Sequence, residues 1–409
     1  MSTHLEPLKK SVGFTPFGEV VGNLTLGRGK IGDTVVQVAL VENKIASGSL
    51  GLMECNKLAQ LFRLAAKDTK PLILYLDSAG ARVSQGLPAL GAFRAMFRAA
   101  MELAASPAHI VTVLGANCYG GASMLAHLGR VRIFAPQTQL AMSGPSILAQ
   151  AAGSNPLDEM FKAIAQASIS AEARAKASPA NIAANSFDHH MANALRVPAM
   201  TAAQRHAELA QRLGKLKDAL KPPQDALQRK DLTKLLVGGY ALRERDGVVI
   251  GEAVLDEVKH RVLGFIGGKT LGAAAAWALA DAAWTLATDE QRDLPVLLLL
   301  DCDSHSARID DEKVVLSEYL FNLSLALHQL KPARLAVLGT SGGGSFVAFA
   351  AATTQLGIVR GKTIQVLPGS AIASILGDNK EEEIEFADLK KAGVAEEEFK
   401  LGLVPGLVE

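Results

Sequence analysis

Apolar residues gather in short continuous runs, and glycine-rich or polar segments separate these runs. The runs PLILYL, HIVTVL, PVLLLL and ARLAVL each lead into an aspartate or a glycine. Continuous apolar runs of this length are typical of strands that are buried on both faces of a sheet. The stretches LMECNKLAQLFRLA and AAAAWALADAAWTLA lie between them and predict helices. The alternation of strands and helices predicts an α/β fold with helices on the faces of the sheet.

The same series of features occurs twice along the chain. GSLG at 48–51 returns as KTLG at 269–272, and the strand end at Asp77 returns as Asp301. The loops around Gly120 and Gly343 match in the same order, and the offset stays at about 221 to 224 positions throughout. Several coincidences in one order indicate two copies of one fold.

The repeat predicts three parts in the chain. The first copy is expected over residues 1–160 and the second copy over residues 233–409. Residues 161–232 are rich in alanine and charge, follow a helical period, and are broken by Pro222 and Pro223. We interpret them as a helical elaboration followed by a linker.

Composition excludes several classes of function. The chain has 409 residues and a formal net charge of +1, which gives no electrostatic basis for binding nucleic acid or an anionic membrane. The N-terminal stretch has no apolar core of the signal-peptide type, and the alanine-rich stretch that contains Asp281 is expected to be a packed helix. Three widely spaced cysteines suggest neither a disulfide framework nor a metal site, so we expect a cytoplasmic protein.

The glycine-rich loops are the main candidates for chemistry. GANCYGGAS and GTSGGGS each follow an apolar strand and open a helix, where backbone N–H groups lack partners and the helix dipole favours negative charge. Such a loop is a tight turn, an anion site or a site for charge that develops on an oxygen during a reaction. Neither loop has the lysine and hydroxyl order of a P-loop, and GTSGGGS lacks the nucleophile-elbow pattern of serine hydrolases.

The motifs GSLG, DSAGARVSQG, NCYGGAS and MSGPSIL, in this order, resemble the carboxyltransferase branch of the crotonase superfamily. They are most similar to the beta subunit of biotin-independent malonate decarboxylases. The second copy, with LLLLDCDSHSAR, GTSGGGS and IQVLPGSAIAS, is similar to the gamma subunit of those enzymes. The chain therefore resembles a beta–gamma fusion. It departs from the pattern at Ala79, where a second glycine is usual, and at Gln85, where an acidic residue is common.

The resemblance implies a fold and a reaction. The fold is two tandem crotonase-like ββα superhelix domains. The reaction is decarboxylation of a malonyl thioester, carried on an acyl carrier protein or on CoA, to an acetyl thioester and CO2. The thioester arm is of the phosphopantetheine type, and no metal or tightly bound cofactor is expected. The expected partners are the acyl carrier and either further copies of the chain or other decarboxylase subunits, without nucleic acid or membrane.

The resemblance also suggests roles for individual residues. The amides of Gly120 and Gly121 are expected to hold the thioester oxygen as it becomes an enolate. The amides of Gly342, Gly343 and Gly344 are expected to hold the leaving carboxylate, or the ureido oxygen of biotin in a carboxyltransferase. His305 is a hypothetical proton donor, with a capping or solvated loop histidine as the alternative. The residues expected to bind substrate lie in or beside these loops: Gly48, Ser49, Arg82, Tyr119, Ser143, Gly144, Ser304, Ser306, Arg308, Pro368 and Gly369.

Some of these residues have an equally good structural interpretation. Arg82 and Arg308 either grip a carboxylate or phosphate or form ion pairs, and Tyr119 either closes the pocket or packs. Two other functions also stay open for the whole chain. One is the carboxyltransferase component of a biotin-dependent enzyme with a separate biotin carrier, and the other is a non-catalytic assembly subunit.

Overall fold

The chain divides into two units in its computed structural model, which describes residues 4–153, 158–184, 188–214, 216, 220–290, 292–330, 333–353, 355–359 and 362–367. The first unit comprises residues 1–85, 92–202 and 307–318. The second unit comprises residues 86–91, 203–306 and 319–409, as far as they are described. The predicted domain limits at 160 and 232 stay a prediction.

The strands of the described part are short and numbered in chain order. They are β1 (Thr15–Pro16), β2 (Leu24–Ile31), β3 (Thr34–Val41), β4 (Leu72–Ser78), β5 (Ile110–Tyr119), β6 (Val131–Phe134), β7 (Gln139–Ala141), β8 (Asn181–Ala183), β9 (Asp225–Ala226), β10 (Tyr240–Arg245), β11 (Val248–Leu255), β12 (Val258–Phe265), β13 (Val296–Leu300), β14 (Ala333–Val337), β15 (Ser341–Gly342), β16 (Gln355–Ile358) and β17 (Ile364–Gln365).

The helices of the described part are numbered in the same way. They are α1 (Leu5–Ser11), α2 (Leu52–Asp68), α3 (Gly86–Ala104), α4 (Gly121–Ala126), α5 (Pro145–Ala151), α6 (Glu159–Ile169), α7 (Ala171–Ala177), α8 (Asp188–Ala194), α9 (Ala202–Gln211), α10 (Lys230–Leu235), α11 (Ala273–Thr288), α12 (Ile309–Lys313), α13 (Leu316–His328) and α14 (Gly343–Ala350). No helix among the described residues is both long and apolar enough to cross a bilayer.

The sheet of the first unit has the strand order β1-β2-β3-β4-β5-β6-β8, and β7 pairs with the far end of β5. The hairpin of β2 and β3 is antiparallel, and the strands from β3 to β8 run parallel. Every residue of β4 is buried, as expected of a strand with helices over both faces. The carboxyl ends of β4 and β5 therefore meet at one edge of the sheet, where α/β folds place their ligands.

The sheet of the second unit repeats this arrangement. Its strand order is β16-β14-β13-β12-β11-β10-β9, with an antiparallel hairpin of β11 and β12 followed by parallel strands. Two-residue turns close both hairpins. Gly32 has a φ of +57° in the first turn, and Asp256 and Glu257 have φ values of +51° and +63° in the second. Left-handed residues of this kind suit the twist of tight hairpins. The α/β prediction is confirmed, and the two units share the element order that a duplication predicts.

Apolar side chains from strands and helices form a separate core in each unit. In the first unit, Val38, Leu40, Ile73, Tyr75 and Val113 belong to one buried cluster. In the second unit the corresponding cluster is built from the residues Val249, Val262, Leu297, Leu299 and Ala336. Each core fixes the strands that carry the glycine-rich loops.

A buried asparagine fixes the segment before α2. The Asn23 side chain is fully buried, and its Nδ2 donates to the carbonyls of Ile45 at 2.8 Å and Ser49 at 2.7 Å. Its Oδ1 accepts from the amides of Lys44 at 3.3 Å and Ile45 at 2.7 Å. One side chain therefore satisfies both donors and acceptors of an irregular loop. That loop contains the GSLG motif.

We expect Asn23→Ala to lower the free energy of unfolding by about 2–4 kcal/mol, because it removes four buried or part-buried hydrogen bonds to the loop backbone. Urea denaturation of the purified protein measures the change. The matched control is Asn56→Ala, since Asn56 is exposed on α2. Equal stability of the two variants would contradict this role of Asn23.

Candidate active site

The GSLG loop of the first unit lies beside the loop that follows β4. Ala79 N–H donates to Ser47 O at 3.0 Å, and Leu50 N–H donates to Gly80 O at 2.7 Å. Arg82 N–H then donates to Leu50 O at 2.8 Å. These main-chain bonds extend the sheet by one parallel bridge beyond β4. The backbone at residues 79–81 is held in place on this side.

The glycine-rich loop after β5 packs against the other side of residues 79–81. Gly80 has a φ of +93°, and a Cβ atom at this position would stand 2.8 Å from Gly121 N and 3.4 Å from Ala122 N. A Cβ atom on Gly120, whose φ is +55°, would stand 3.0 Å from Ala79 O. Only glycine allows two backbones to approach so closely at these angles. The backbones of the DSAGAR and NCYGGAS motifs are thus in direct contact.

The amides at the start of α4 differ in their hydrogen bonds. Gly120 N–H donates to Met142 O at 3.2 Å, so it is already used inside the chain. Within the part of the chain that the structure describes, the amides of Gly121 and Ala122 have no acceptor. Gly121 is only partly buried, whereas Ala122 is fully buried. The donor pair offered by the structure is therefore Gly121 with Ala122, whereas the sequence analysis paired Gly121 with Gly120.

The free amides can stabilise negative charge. They sit at the N-terminal end of a short helix, where amide dipoles point outward. A preorganised donor pair lowers the energy of an oxygen that gains charge during a reaction, because no solvent has to reorient. This loop is the strongest candidate for chemistry in the first unit.

Arg82 is engaged within the chain. Its guanidinium pairs with the buried Glu54 carboxylate, donates to Ser49 O at 2.7 Å and lies 3.4 Å from Ser49 Oγ. In this arrangement Arg82 forms an ion pair, as one of its two interpretations expected. It links α2, through Glu54, to the GSLG loop, through Ser49. Gln85 accepts from Leu52 N–H at 2.9 Å and so caps the start of α2. Gly48 and Ser49 of the GSLG loop are both buried.

The segment 142–144 after β7, together with Tyr119 at the end of β5, forms a wall next to Gly120. Tyr119 Oη donates to Gln139 Oε1, and its ring lies 3.9 Å from the place of a Cβ atom on Gly144. Burial raises the pKa of the Tyr119 phenol, so it stays protonated at neutral pH. Its ring packs on the cluster of Ala141, Leu148, Ala165 and Ile169. Tyr119 is thus both packed and hydrogen-bonded.

The buried pair of Glu312 and Arg174 binds the backbone of this wall at Ser143. Ser143 N–H donates to Glu312 Oε1 at 2.9 Å, and Glu312 Oε2 lies 3.6 Å from Arg174 Nη2. Arg174 also donates to the carbonyls of Leu140 and Glu312, and both charged side chains are almost fully buried. Burial raises the pKa of Glu312 to about 7 despite the nearby guanidinium. Sequence analysis missed this pair, since no local pattern links residues so far apart in the chain.

The second unit has a corresponding glycine loop that is closed. Gly342, Gly343 and Gly344 are all buried. Gly343 N–H donates to Val366 O at 2.9 Å, and Gly344 N–H donates to His305 Nδ1 at 3.2 Å. These two amides are occupied in this arrangement. Their predicted role in holding a carboxylate stays a prediction that requires both bonds to be replaced.

The predicted residues Ser304 and Ser306 lie beside His305. Ser304 Oγ is 3.2 Å from His305 Nδ1, and Ser306 is buried beside it. Arg308 precedes α12 in the first unit. The role of His305 as a proton donor stays a prediction. Pro368 and Gly369 lie outside the described residues.

The cysteines do not provide a nucleophile in this arrangement. Cys55, Cys118 and Cys302 are buried and free. Burial, with a smaller contribution from Asp77, raises the pKa of the Cys118 thiol well above its usual value. The thiolate form is therefore disfavoured, as expected of a small buried side chain.

We expect the Glu312 carboxyl to make the protein less stable as pH rises from about 4.5 to about 7. Its pKa in the folded chain lies above the ordinary value, so the native state binds more protons than the unfolded state in this window. The free energy of unfolding therefore falls across the window by on the order of 3 kcal/mol from this group.

Urea denaturation at several pH values, on wild type and Glu312→Gln, measures this contribution. The glutamine cannot ionise, so the stability advantage of wild type should shrink as pH rises. An advantage that grows with pH, or does not change, would show that the carboxyl is ionised throughout. Lys162→Gln is a suitable control, because its salt bridge to the exposed Glu159 is on the surface.

Comparison with known proteins gives similarity over about a third of the chain. The chain is 29% identical over 137 residues to an acetyl-coenzyme A carboxylase carboxyl transferase subunit beta of Synechococcus sp. (strain JA-2-3B'a(2-13)), covering 33% of this chain and 44% of the relative. It is 28% identical over 145 residues to the methylmalonyl-CoA carboxyltransferase 12S subunit of Propionibacterium freudenreichii subsp. shermanii, covering 35% and 28%. The chain thus spans less than half the length of these curated relatives.

Solved structures with a similar chain include a Pseudomonas malonate decarboxylase hetero-tetramer in complex with malonate. The identity is 21% and the TM-score 0.45, over 54% of this chain and 94% of the other. A transcarboxylase 12S structure is 18% identical with a TM-score of 0.40, over 100% and 86%. Among protein families, the carboxyl transferase domain matches residues 16–167, the segment that carries Gly80, Gly121 and the wall at Ser143.

Proposed function

We propose that this protein removes a carboxyl group from a malonyl thioester through an enolate that the amides of Gly121 and Ala122 hold. The observation that carries the proposal is the pair of amides beside the backbone of Gly80, which have no acceptor among the described residues and of which Gly121 is partly exposed. The similarity of residues 16–167 to the carboxyl transferase domain supports a reaction at the carbon next to a thioester.

The proposed step balances without an oxidant or reductant. The bond between the α-carbon and the carboxylate breaks, and CO2 leaves. The electron pair moves into the bond to the thioester carbonyl, whose oxygen becomes negative. A proton then adds to the α-carbon and gives the acetyl thioester. The amides act on the oxygen only as charge develops, so they lower the barrier more than they strengthen substrate binding.

The local geometry suits a thioester carbonyl. Tyr119 and Gly144 provide an apolar wall next to the loop, and water excluded by such a wall would otherwise compete for the amides. Arg82 is paired with Glu54, so it is occupied and is not proposed as the group that grips a phosphate. The arm that carries the acyl group is CoA or the phosphopantetheine of an acyl carrier protein.

Carboxyl transfer is the second candidate, and the names of the relatives favour it. Both sequence relatives are carboxyl transferase subunits of CoA-linked enzymes. A carboxyltransferase passes through the same enolate in the opposite direction, but needs a further group to hold the carboxyl donor. The buried, bonded amides of Gly343 and Gly344 lead us to prefer decarboxylation.

Release of CO2 from malonyl-CoA and from malonyl-carrier protein, with and without avidin, tests the proposal. We expect avidin-insensitive release. Activity that requires added biotin carrier and is blocked by avidin would show carboxyl transfer instead. Absence of turnover with every acyl thioester would overturn both and favour an assembly subunit.

We expect Gly80→Ala to reduce kcat by about 100-fold or more, because the new methyl group reaches the Gly121 and Ala122 amides. Gly80 is a better probe than Gly121, since a side chain on Gly121 would overlap the Phe93 ring and disturb the core. The variant is also expected to lose about 1–3 kcal/mol of stability through its left-handed backbone.

Gly32→Ala is the matched control for that strain. Gly32 has a φ of +57° with open space around its Cβ position, and it lies in the hairpin turn. It should lose stability without losing activity. Equal activity of wild type and Gly80→Ala would contradict the assignment of the amides.

A further inference from the structure

The two units repeat the main-chain bonds around their loops. In the second unit, Leu271 N–H donates to Ser304 O at 3.0 Å and Ser306 N–H donates to Leu271 O at 2.9 Å. Leu50 makes the same two bonds with the Gly80 loop in the first unit. Ser304 therefore corresponds to Gly80, and the residues that follow each correspond in turn.

The glycine loops correspond in the same way. Gly343 has a φ of +57° and donates to Val366 O, as Gly120 with a φ of +55° donates to Met142 O. Gly344 is consequently the counterpart of Gly121. By the same correspondence, His305 is the counterpart of Ala81.

The two loops differ at one contact. Gly121 N–H has no acceptor among the described residues, whereas Gly344 N–H donates to the His305 ring. The His305 side chain is only 8% exposed, and its ring also lies beside Ser304 Oγ. At the corresponding place, Ala81 carries a methyl group that cannot accept a hydrogen bond.

We propose that the His305 imidazole closes the second loop by taking the amide that the first loop leaves for a ligand oxygen. His305 is thus a specificity-determining residue: of the two glycine loops, it leaves only the first with an amide open to a ligand oxygen among the described residues. Removal of the ring would open a second site for a carbonyl or carboxylate oxygen at Gly344. The statement that the first loop binds a ligand oxygen rests on the proposed function, but the contact between His305 and Gly344 does not.

The proposal fixes the tautomer of the ring. Since Nδ1 accepts the Gly344 N–H, its lone pair must face the amide, and the proton of the neutral ring is on Nε2. Nitrogen-15 NMR of histidine-labelled wild type reads this directly. An unprotonated Nδ1 with a protonated Nε2 is expected, and a protonated Nδ1 would overturn the proposal without any variant.

His305→Ala tests the closure through the amide resonance of Gly344. Free imidazole should bind the space left by the ring and move this resonance back towards its wild-type position. It should leave the Gly344 resonance of wild type unchanged. A Gly344 amide that ignores imidazole in the variant would overturn the proposal. His305→Asn is the conservative control, because its Oδ1 can accept from the same amide, so its Gly344 resonance should respond less to imidazole than that of His305→Ala.

Acetyl-CoA tests the ligand side. In wild type it should shift the amide resonance of Gly121 but not that of Gly344. In His305→Ala it should shift both amide resonances, and in Ala81→His it should shift neither. A wild-type Gly344 that responds as Gly121 does would overturn the closure. Failure of acetyl-CoA to shift Gly121 in wild type would count against the proposed function only, since the imidazole and tautomer results do not depend on it.

Discussion

Close contact between main chains is the constraint on which the rest of the first unit depends. Residues 79–81 are bonded to the GSLG loop on one side and touch the start of α4 on the other. The contact with α4 leaves no room for a side chain at Gly80, so main-chain packing sets the position of the amides there. Asn23 and the Arg82–Glu54 pair hold the outer loop, and the buried strands hold the inner one. A site whose groups are held by packing and hydrogen bonds needs little rearrangement when a ligand binds.

Sequence analysis predicted the layout of the fold because it depends on local patterns. Continuous apolar runs indicated the parallel strands, and the matching order of motifs indicated two similar units. It also located the glycine loop, since glycine has a physical reason to occur where backbones meet. It did not identify which amides are free. That depends on Met142 and Val366, whose carbonyls approach only in the folded chain.

The contacts that sequence analysis missed are those between distant positions. Glu312 and Arg174 are 138 residues apart, and nothing in their neighbourhoods links them. The role of His305 could not be predicted either, because a histidine after a strand end is compatible with catalysis, capping or burial. The structure shows it as an acceptor for a neighbouring amide. Polar residues are therefore the hardest to interpret, since their roles depend on partners.

The first unit is completed by a segment from late in the chain. Residues 307–318 belong to it, and Glu312 within them supports the wall at Ser143. During synthesis the ribosome must therefore translate about three quarters of the chain before this unit can close. Until then the buried guanidinium of Arg174 lacks the Glu312 side chain. In a polypeptide cut between the two similar halves it would lose this partner and keep its hydrogen bonds to Leu140 O. The first unit consequently cannot be completed without residues from the second half of the sequence. Production of the halves as independent gene products would require a new partner for Arg174.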